Sequence, residues 1–462
     1  MLKRFTDVCV RYVQRWMPDP YLFAVILTLI VVVLDFLFVK NASMIGIINA
    51  WYSGVWGDKN ILTFALQMIL ILVTGYTLAQ TPLIQRLLKR LASIPKNQVQ
   101  AAILTFVVAG IASLLNWGLG LVVGAVLARE ILKKLKSDIH FGYIVAAGYM
   151  GYIVWTNGFS SSIALANTDP GNSLNIIYKL THQVVGFNDS IFQPFSWIPV
   201  LAIFILIPLA LKWMAPTESF TPNIDSIAES MATSEQAAAV EPTAGTRHTF
   251  AEMLENAWIF NLILAAAGIV YFVESGFALT INSVIMLFTV LGLLLHWTPI
   301  RFIHAFYESA KTSGSLILQY PLYGGVMALM AYSPATDIAP LQVVISNALV
   351  RHANATTLPL FNYIGSCIIA LFVPSGGGHW GVQGPVTIET AKAMGLTSQV
   401  YLGKLSMSVA VGEQVTNMIQ PFWALPVLAL AKLGVRDMMG FTVVAFLIGL
   451  VVFGLGTLIP AI

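Results

Sequence analysis

Residues 97–128 carry no charged side chain, yet basic residues crowd both ends. Arg86, Lys89, Arg90 and Lys96 precede the run, and Arg129, Lys133, Lys134 and Lys136 follow it. As one straight helix this stretch would extend about 48 Å, against a hydrocarbon core of about 30 Å. Basic segments stay on the cytoplasmic face of a membrane, so both flanks belong on one side. The run is therefore expected to enter and return as a re-entrant hairpin tipped by Asn116-Trp117-Gly118. Turn backbone at that depth is tolerated only where protein or water satisfies it.

Composition agrees. Hydrophobic residues make up 57% of the chain and charged residues 10%, where a soluble domain carries about 25% charge. The chain reads as an all-α polytopic membrane protein, without the alternating pattern of an outer-membrane barrel. Cys9 and Cys367 offer neither a disulfide framework nor metal-ligand spacing. Nucleic acid is not expected as a partner. Residues 1–19 form an amphipathic surface helix: Phe5, Val8, Cys9, Tyr12 and Trp16 share one face, with Lys3, Arg4, Arg11 and Arg15 beside or behind it.

The first pattern has a counterpart. Residues 352–388 are also free of Asp, Glu, Lys and Arg, with the tip Pro374-Ser375-Gly376-Gly377-Gly378-His379-Trp380-Gly381. Each tip is followed by an apolar segment interrupted by Thr-Asn, at Thr156-Asn157 and Thr416-Asn417, the two Thr-Asn dipeptides of the chain. Matching Gly-interrupted segments in two halves point to a transporter built from inverted repeats, with its binding site where the interruptions meet. The first repeat is expected over 20–214, with hairpin 97–128 and broken helix 141–167. The second spans 256–462, with hairpin 352–392 and broken helix 400–431. Residues 215–255, polar and aperiodic, form a cytoplasmic linker. With a cytoplasmic N-terminus, Lys40, Lys59, Lys179, Arg351, Lys392 and Lys404 fall outside, six of the 24 basic residues.

No Lys or Arg lies beside either tip or either Thr-Asn break in sequence, and the intramembrane acids are few: Asp35, Glu389 and Glu413. A substrate must then be recognised by backbone and neutral side chains. N-terminal N–H groups of the return arms attract an anion, and one carboxylate suits that supply better than a dicarboxylate, which would ask for Arg. The candidate substrate residues are Asn116, Trp117, Gly118, Ser160, Ser161, Ser375, Gly376, Gly377, Gly378, His379, Trp380 and Gln383. Both tips are expected to serve one site. Thr156, Asn157, Thr416 and Asn417 offer hard oxygen ligands for a coupling cation, with sodium possible at Asn157 and Asn417, and Glu413 offers a proton route instead. No cofactor is expected apart from that ion.

The run from Val373 to Pro385 resembles the signature of the bacterial short-chain fatty acid transporters, the AtoE-type family. Asn116-Trp117-Gly118-Leu119-Gly120 and Trp16-Met17-Pro18-Asp19-Pro20-Tyr21 fit the same family. The resemblance implies uptake of butyrate- or acetoacetate-like monocarboxylates across the bacterial inner membrane, driven by an ion gradient. It also implies kinship with the ion transporter superfamily, whose members often form homodimers. The sodium-coupled dicarboxylate carriers of that superfamily have Ser-Asn-Thr at both tips, which this chain lacks, so their substrate and ion do not transfer. The alternative readings are an inorganic-ion antiporter or a carrier of another small organic anion. No catalytic signature supports an enzyme. Single-cysteine labelling in intact cells tests the topology: positions near 137 are expected to be protected and positions near 180 accessible from outside. Finding both on one side removes the argument for the first hairpin.

Overall fold

The computed structural model describes residues 2–135, 139–172, 174–221, 249–275, 281–351 and 353–461. Most of the expected linker, 222–248, and position 137 lie outside the described residues. Within them the regular elements are helices, with one isolated bridge between His140 and Phe220.

Five helices are long and apolar enough to cross a bilayer: Pro20–Phe38, Gln98–Leu115, Pro194–Met214, Phe250–Glu274 (which includes a short break) and Val435–Gly456. They turn large apolar side chains outward, among them Leu29, Val33 and Leu37 on the first and Ile205 and Trp213 on the third. Such a surface suits lipid as its solvent, because a helix satisfies its own backbone there. The chain is a multi-pass membrane protein.

The helices fall into two packed groups. In one, Gly314–Met330 lies against Pro20–Phe38 and Met44–Val55, and Ile281–His296 lies against Leu62–Ala79. Helices of the two halves thus pair with each other. Gly54 and Gly324 set the closest approach: a Cβ on either would come within 2.3–2.4 Å of the other's carbonyl oxygen. Met44–Val55 and a further helix, Leu341–Val350, were not legible as separate elements in the sequence.

The second group contains the two hairpins and the two broken helices. Gln98–Leu115 and Trp117–Leu135 run antiparallel, since Ser113 faces Gly120 while Ala109 faces Gly124. Asn116 alone turns the chain between them, in extended backbone. The return arm runs to Leu135, seven residues past the expected end of the hairpin. Small residues bring the arms into backbone contact, the usual basis of helix packing where apolar burial gives no drive. In the other hairpin, Leu358–Ile369 and Gly376–Ala393 both pack on Gln399–Thr416. The halves then exchange partners. Ala424–Ala431, after the second break, packs on the first hairpin's return arm; Ser162–Thr168, after the first break, packs on the second hairpin's return arm.

The N-terminal helix Leu2–Trp16 docks on Val435–Gly456. Its Phe5, Val8, Tyr12 and Trp16 face outward, while Thr6 and Val13 are buried. Arg436 Nε donates to the Met17 carbonyl at 2.8 Å.

A Cβ on Gly120 would lie 2.8 Å from Ser113 Cα and closer still to its hydroxyl. Gly120→Ala therefore forces the arms apart, an overpacking change of about 1–3 kcal/mol. The variant is expected to melt well below the parent in detergent; an unchanged melting temperature would show that the arms are not in contact at this point.

Candidate functional site

The first broken helix begins as Phe141–Met150, tightens to a 3₁₀ turn over Gly151–Asn157, stops, and resumes at Ser162–Thr168. The hairpin tip is stitched to this stop. Phe159 N–H donates to the Leu114 carbonyl at 2.9 Å, and Trp117 N–H donates to Ser160 Oγ at 2.9 Å. Asn116 Oδ1 accepts from Gly118 N–H at 2.9 Å and Leu119 N–H at 3.2 Å. Its side chain thus caps the return arm, satisfying donors that an apolar tip would leave bare. Ser161 Oγ caps the resumed helix through Ala164 N–H. Gly118 faces Ile71, 2.9 Å from where its Cβ would sit.

The second broken helix ends its first part at Thr416 and restarts at Ala424–Ala431. The two breaks are tied across the protein by Gln414. Its Oε1 accepts from Thr156 N–H at 2.9 Å and Thr156 Oγ1 at 2.6 Å, and its Nε2 donates to Asn157 Oδ1 at 2.9 Å. Tyr149 O–H donates to the Asn417 carbonyl at 2.7 Å. Thr416 Oγ1 bonds the Gly412 and Cys367 carbonyls. The Thr-Asn pairs therefore lie at the crossing of the broken helices, and at the first break their side-chain oxygens are already engaged. At the second, Asn417 Nδ2 donates to Glu413 Oε1 at 3.4 Å, while Asn417 Oδ1 and Glu413 Oε2 are buried without a hydrogen-bond partner.

Each break touches both tips. Ser160 bonds the first tip, and Ser162 Oγ lies 2.5 Å from where a Cβ on Gly376, at the second tip, would sit. Trp423, in the second break, packs its ring edge-on to Trp117 at 5.1 Å and donates Nε1–H to the Pro374 carbonyl at 2.9 Å. Glu413 Oε2 and Trp155 complete the surroundings of Gly376, at 3.2 and 3.3 Å from that Cβ position. Ser162 Oγ and Trp155 Nε1 are also buried without a partner. The centre of the protein thus holds a carboxyl group, a hydroxyl, an indole N–H and the amide end of the return arm Gly376–Ala393, walled by Trp117, Tyr152 and Trp423.

Other residues near the tips and breaks have different surroundings. His379 N–H donates to the Ser375 carbonyl at 2.7 Å. The His379 ring and Gln383 Oε1 are 2.7 Å apart, and Gln383 Nε2 donates to Asn362 O and Oδ1, both at 2.7 Å. Asn362, unnoticed in the sequence, thereby joins the arms of the second hairpin and reaches Ser408 Oγ of the broken helix. Trp380 is fully buried in a separate apolar cluster with Ile163, Ile177 and Leu402. Trp423, not Trp380, is what stands opposite Trp117. Phe159 is 43% exposed and packs on Phe187 and Phe192, away from the centre. Among the described residues no group of three or more His, Cys, Asp or Glu is placed to hold a metal ion.

Two broken helices crossing at two hairpin tips, inside a multi-pass helical protein, define a membrane transporter. The family of short-chain fatty acid transporters matches over residues 1–459, and the chain belongs to that family. It is 37% identical over 462 residues to the "Putative short-chain fatty acid transporter" of Escherichia coli, and 33% identical over 467 residues to the protein of the same name from Haemophilus influenzae; each alignment covers 99% of both chains. The crystal structure of the YdaH transporter of Alcanivorax borkumensis, reported for its unusual topology, aligns over 95% of this chain and 98% of its own at 16% identity and a TM-score of 0.41. The family is one of transporters, not enzymes.

The glycines of the second tip separate sharply. A methyl on Gly377 would meet only the end of Leu174, at 3.0 Å, and one on Gly378 the end of Met327, at 3.1 Å. A methyl on Gly376 would collide with Ser162 and crowd Glu413 and Trp155. An overpacking cost of about 1–3 kcal/mol at the site corresponds to a loss of roughly 5- to 150-fold. Gly376→Ala is expected to cut uptake by reconstituted protein by that amount, and Gly377→Ala to stay within about threefold. Equal uptake by the two variants, at equal amounts of folded protein, would place the site elsewhere.

Proposed function

We propose that this transporter carries short-chain monocarboxylates, of the size of butyrate or acetoacetate, by alternating access across the bacterial inner membrane. The observation that carries the reading is the double contact of each helix break with both tips, through Ser160 and Ser162 on one side and Trp423 on the other. A site built from both repeats can open to either side as the halves rock about it. The substrate carboxylate takes the amide end of the return arm at Gly376, with Ser162 beside it. The alkyl tail lies on Trp117, Tyr152 and Trp423. Apart from Glu413 the side chains named around this centre are neutral, which supports a single negative charge on the substrate.

An ion gradient drives accumulation, and the coupling cation, a proton or sodium, is taken at the second break. Glu413 Oε2 and Asn417 Oδ1 are acceptor oxygens without a hydrogen-bond partner, whereas Gln414 engages Thr156 and Asn157. The N-terminus lies in the cytoplasm, the basic flanks of 97–128 support re-entrance of the first hairpin, and the protein works as a homodimer through the helices outside the hairpin group. The same unpartnered oxygens are what favours the second reading, an inorganic-ion antiporter.

Uptake of labelled butyrate into proteoliposomes, with proton and sodium gradients imposed separately, tests both. Accumulation driven by one gradient, competed by acetate and butyrate more than by succinate, is expected, with affinity rising by up to about 0.8 kcal/mol per added CH₂. Asn417→Ala is expected to alter the cation dependence more than Asn157→Ala. Competition by succinate equal to that by butyrate would defeat the monocarboxylate reading, and cation flux indifferent to any acid would favour the antiporter.

A further inference from the structure

His140 stands just before the first broken helix, beside the docked N-terminal helix. It is the N-cap of Phe141–Met150, and its Nδ1 accepts from Tyr143 N–H at 3.2 Å. Tyr143 N–H is shared with the His140 carbonyl at 3.1 Å. A ring nitrogen that accepts carries no proton, so this ring is neutral with its hydrogen on Nε2. Protonation would place a hydrogen on Nδ1, facing Tyr143 N–H, so that two donors meet. It would also put a positive charge at a helix N-terminus, where the macrodipole opposes it. The seat therefore suits the ring in one protonation state only.

The same residue seats a strap, the segment 216–220 that follows the span Pro194–Met214. Phe141 N–H donates to the Phe220 carbonyl at 2.7 Å, and Phe220 N–H donates to the Ile139 carbonyl at 3.1 Å. Gln98 Nε2 donates to the Pro216 carbonyl at 2.6 Å, while Gln98 Oε1 accepts from His140 N–H at 3.1 Å. The imidazole packs on Phe220 of the strap and on Phe441 of the last helix, each with ring centres 5.2 Å away. A cavity of about 320 Å³, whose lining includes His140, Asp7, Arg11, Glu218 and Phe441, gives water a way to the ring. The charged groups around it are Asp437 of the last helix, Glu218 of the strap, and Asp7 and Arg11 of the N-terminal helix. Burial pushes the His140 pKa below its ordinary value, against the pull of its own carbonyl, Asp437 and Glu218.

We propose that His140 is a proton-operated latch: neutral, it caps the first broken helix and seats the strap 216–220 against it; protonated, it releases both. The cavity admits the proton, and the strap and the last helix are what the ring lets go. The sign follows from burial. The neutral ring's contribution is fully present above about pH 6.5, the ordinary value of a free histidine, and is lost as pH falls through the lower value of the seated ring. The latch sits at the root of the helix whose break forms the centre, so acid on this face frees that helix end. It holds whatever the protein carries and does not require the monocarboxylate reading.

Hydrogen exchange of the full-length protein in lipid nanodiscs, followed by mass spectrometry at about pH 7.5 and about pH 5 and corrected for the intrinsic pH dependence of exchange, reads the latch directly. The amides to follow are Phe141, Tyr143 and Phe220. Their protection in the parent is expected to fall by about threefold or more at the lower pH. His140→Asn keeps a side-chain acceptor suited to an N-cap and cannot titrate, so its protection is expected to stay the same at both values. His140→Gln serves the same purpose where the Asn variant does not fold. Parent protection unchanged between the two pH values overturns the proposal. So does a variant that loses protection in acid as the parent does, because the titrating group would then be Glu218 or Asp437.

Discussion

A helix can stop inside a bilayer only where something else takes up the hydrogen-bonding groups it releases. Everything at the centre of this protein follows from that demand. Gln414 answers it at the first break by accepting from the Thr156 backbone and hydroxyl and donating to Asn157. Tyr149 answers it at the second by donating to the Asn417 carbonyl. Each broken helix therefore supplies what the other lacks, and the crossing point is determined by hydrogen bonds more than by shape. The same demand brings the tips in, since Leu114 and Pro374 offer carbonyls to the breaks and Ser160 accepts from Trp117. What remains after these pairings are satisfied is a small set of buried polar atoms at one place, and those atoms define the candidate site.

Much of the architecture was legible in the chain because charge and glycine mark it. A charge-free run between basic flanks pointed to the first hairpin, a matching run with a Gly-rich tip to the second, and the paired Thr-Asn interruptions to the broken helices. Less legible were elements without such marks. Met44–Val55 and Leu341–Val350 are short, apolar and flanked by ordinary loop residues, so nothing in composition sets them apart from the spans beside them.

The meeting of the two breaks was legible in the sequence, and the side chains around it less so. Trp117 and Trp380 look equivalent on paper, but only the first lies at the centre; side-chain direction on a helix depends on packing that a single sequence does not expose. Trp423 takes the facing position because the restart of the second broken helix swings across to the first hairpin, a contact between residues far apart in the chain. The run of three glycines reads as uniform, yet Gly376 alone abuts Ser162 and Glu413, while Gly377 and Gly378 meet flexible side-chain ends. Arg129 was read as one more basic flank residue. Its burial against Tyr76 is a tertiary fact, since it requires Leu62–Ala79 to pack on the return arm.

The bond between Arg436 and the Met17 carbonyl joins residues 419 apart in sequence. During synthesis, at about 5–20 residues per second, the first helix emerges roughly 20–80 seconds before its docking partner exists. Until then Leu2–Trp16 has a smaller contact with Pro194–Met214 to dock on and an apolar face, with Phe5, Val8, Tyr12 and Trp16, suited to the membrane surface. Its amphipathic character thus serves as a holding position. The arrival of the last helix then closes the protein end to end, so a chain that stops short of Val435 leaves its own beginning without its main docking partner.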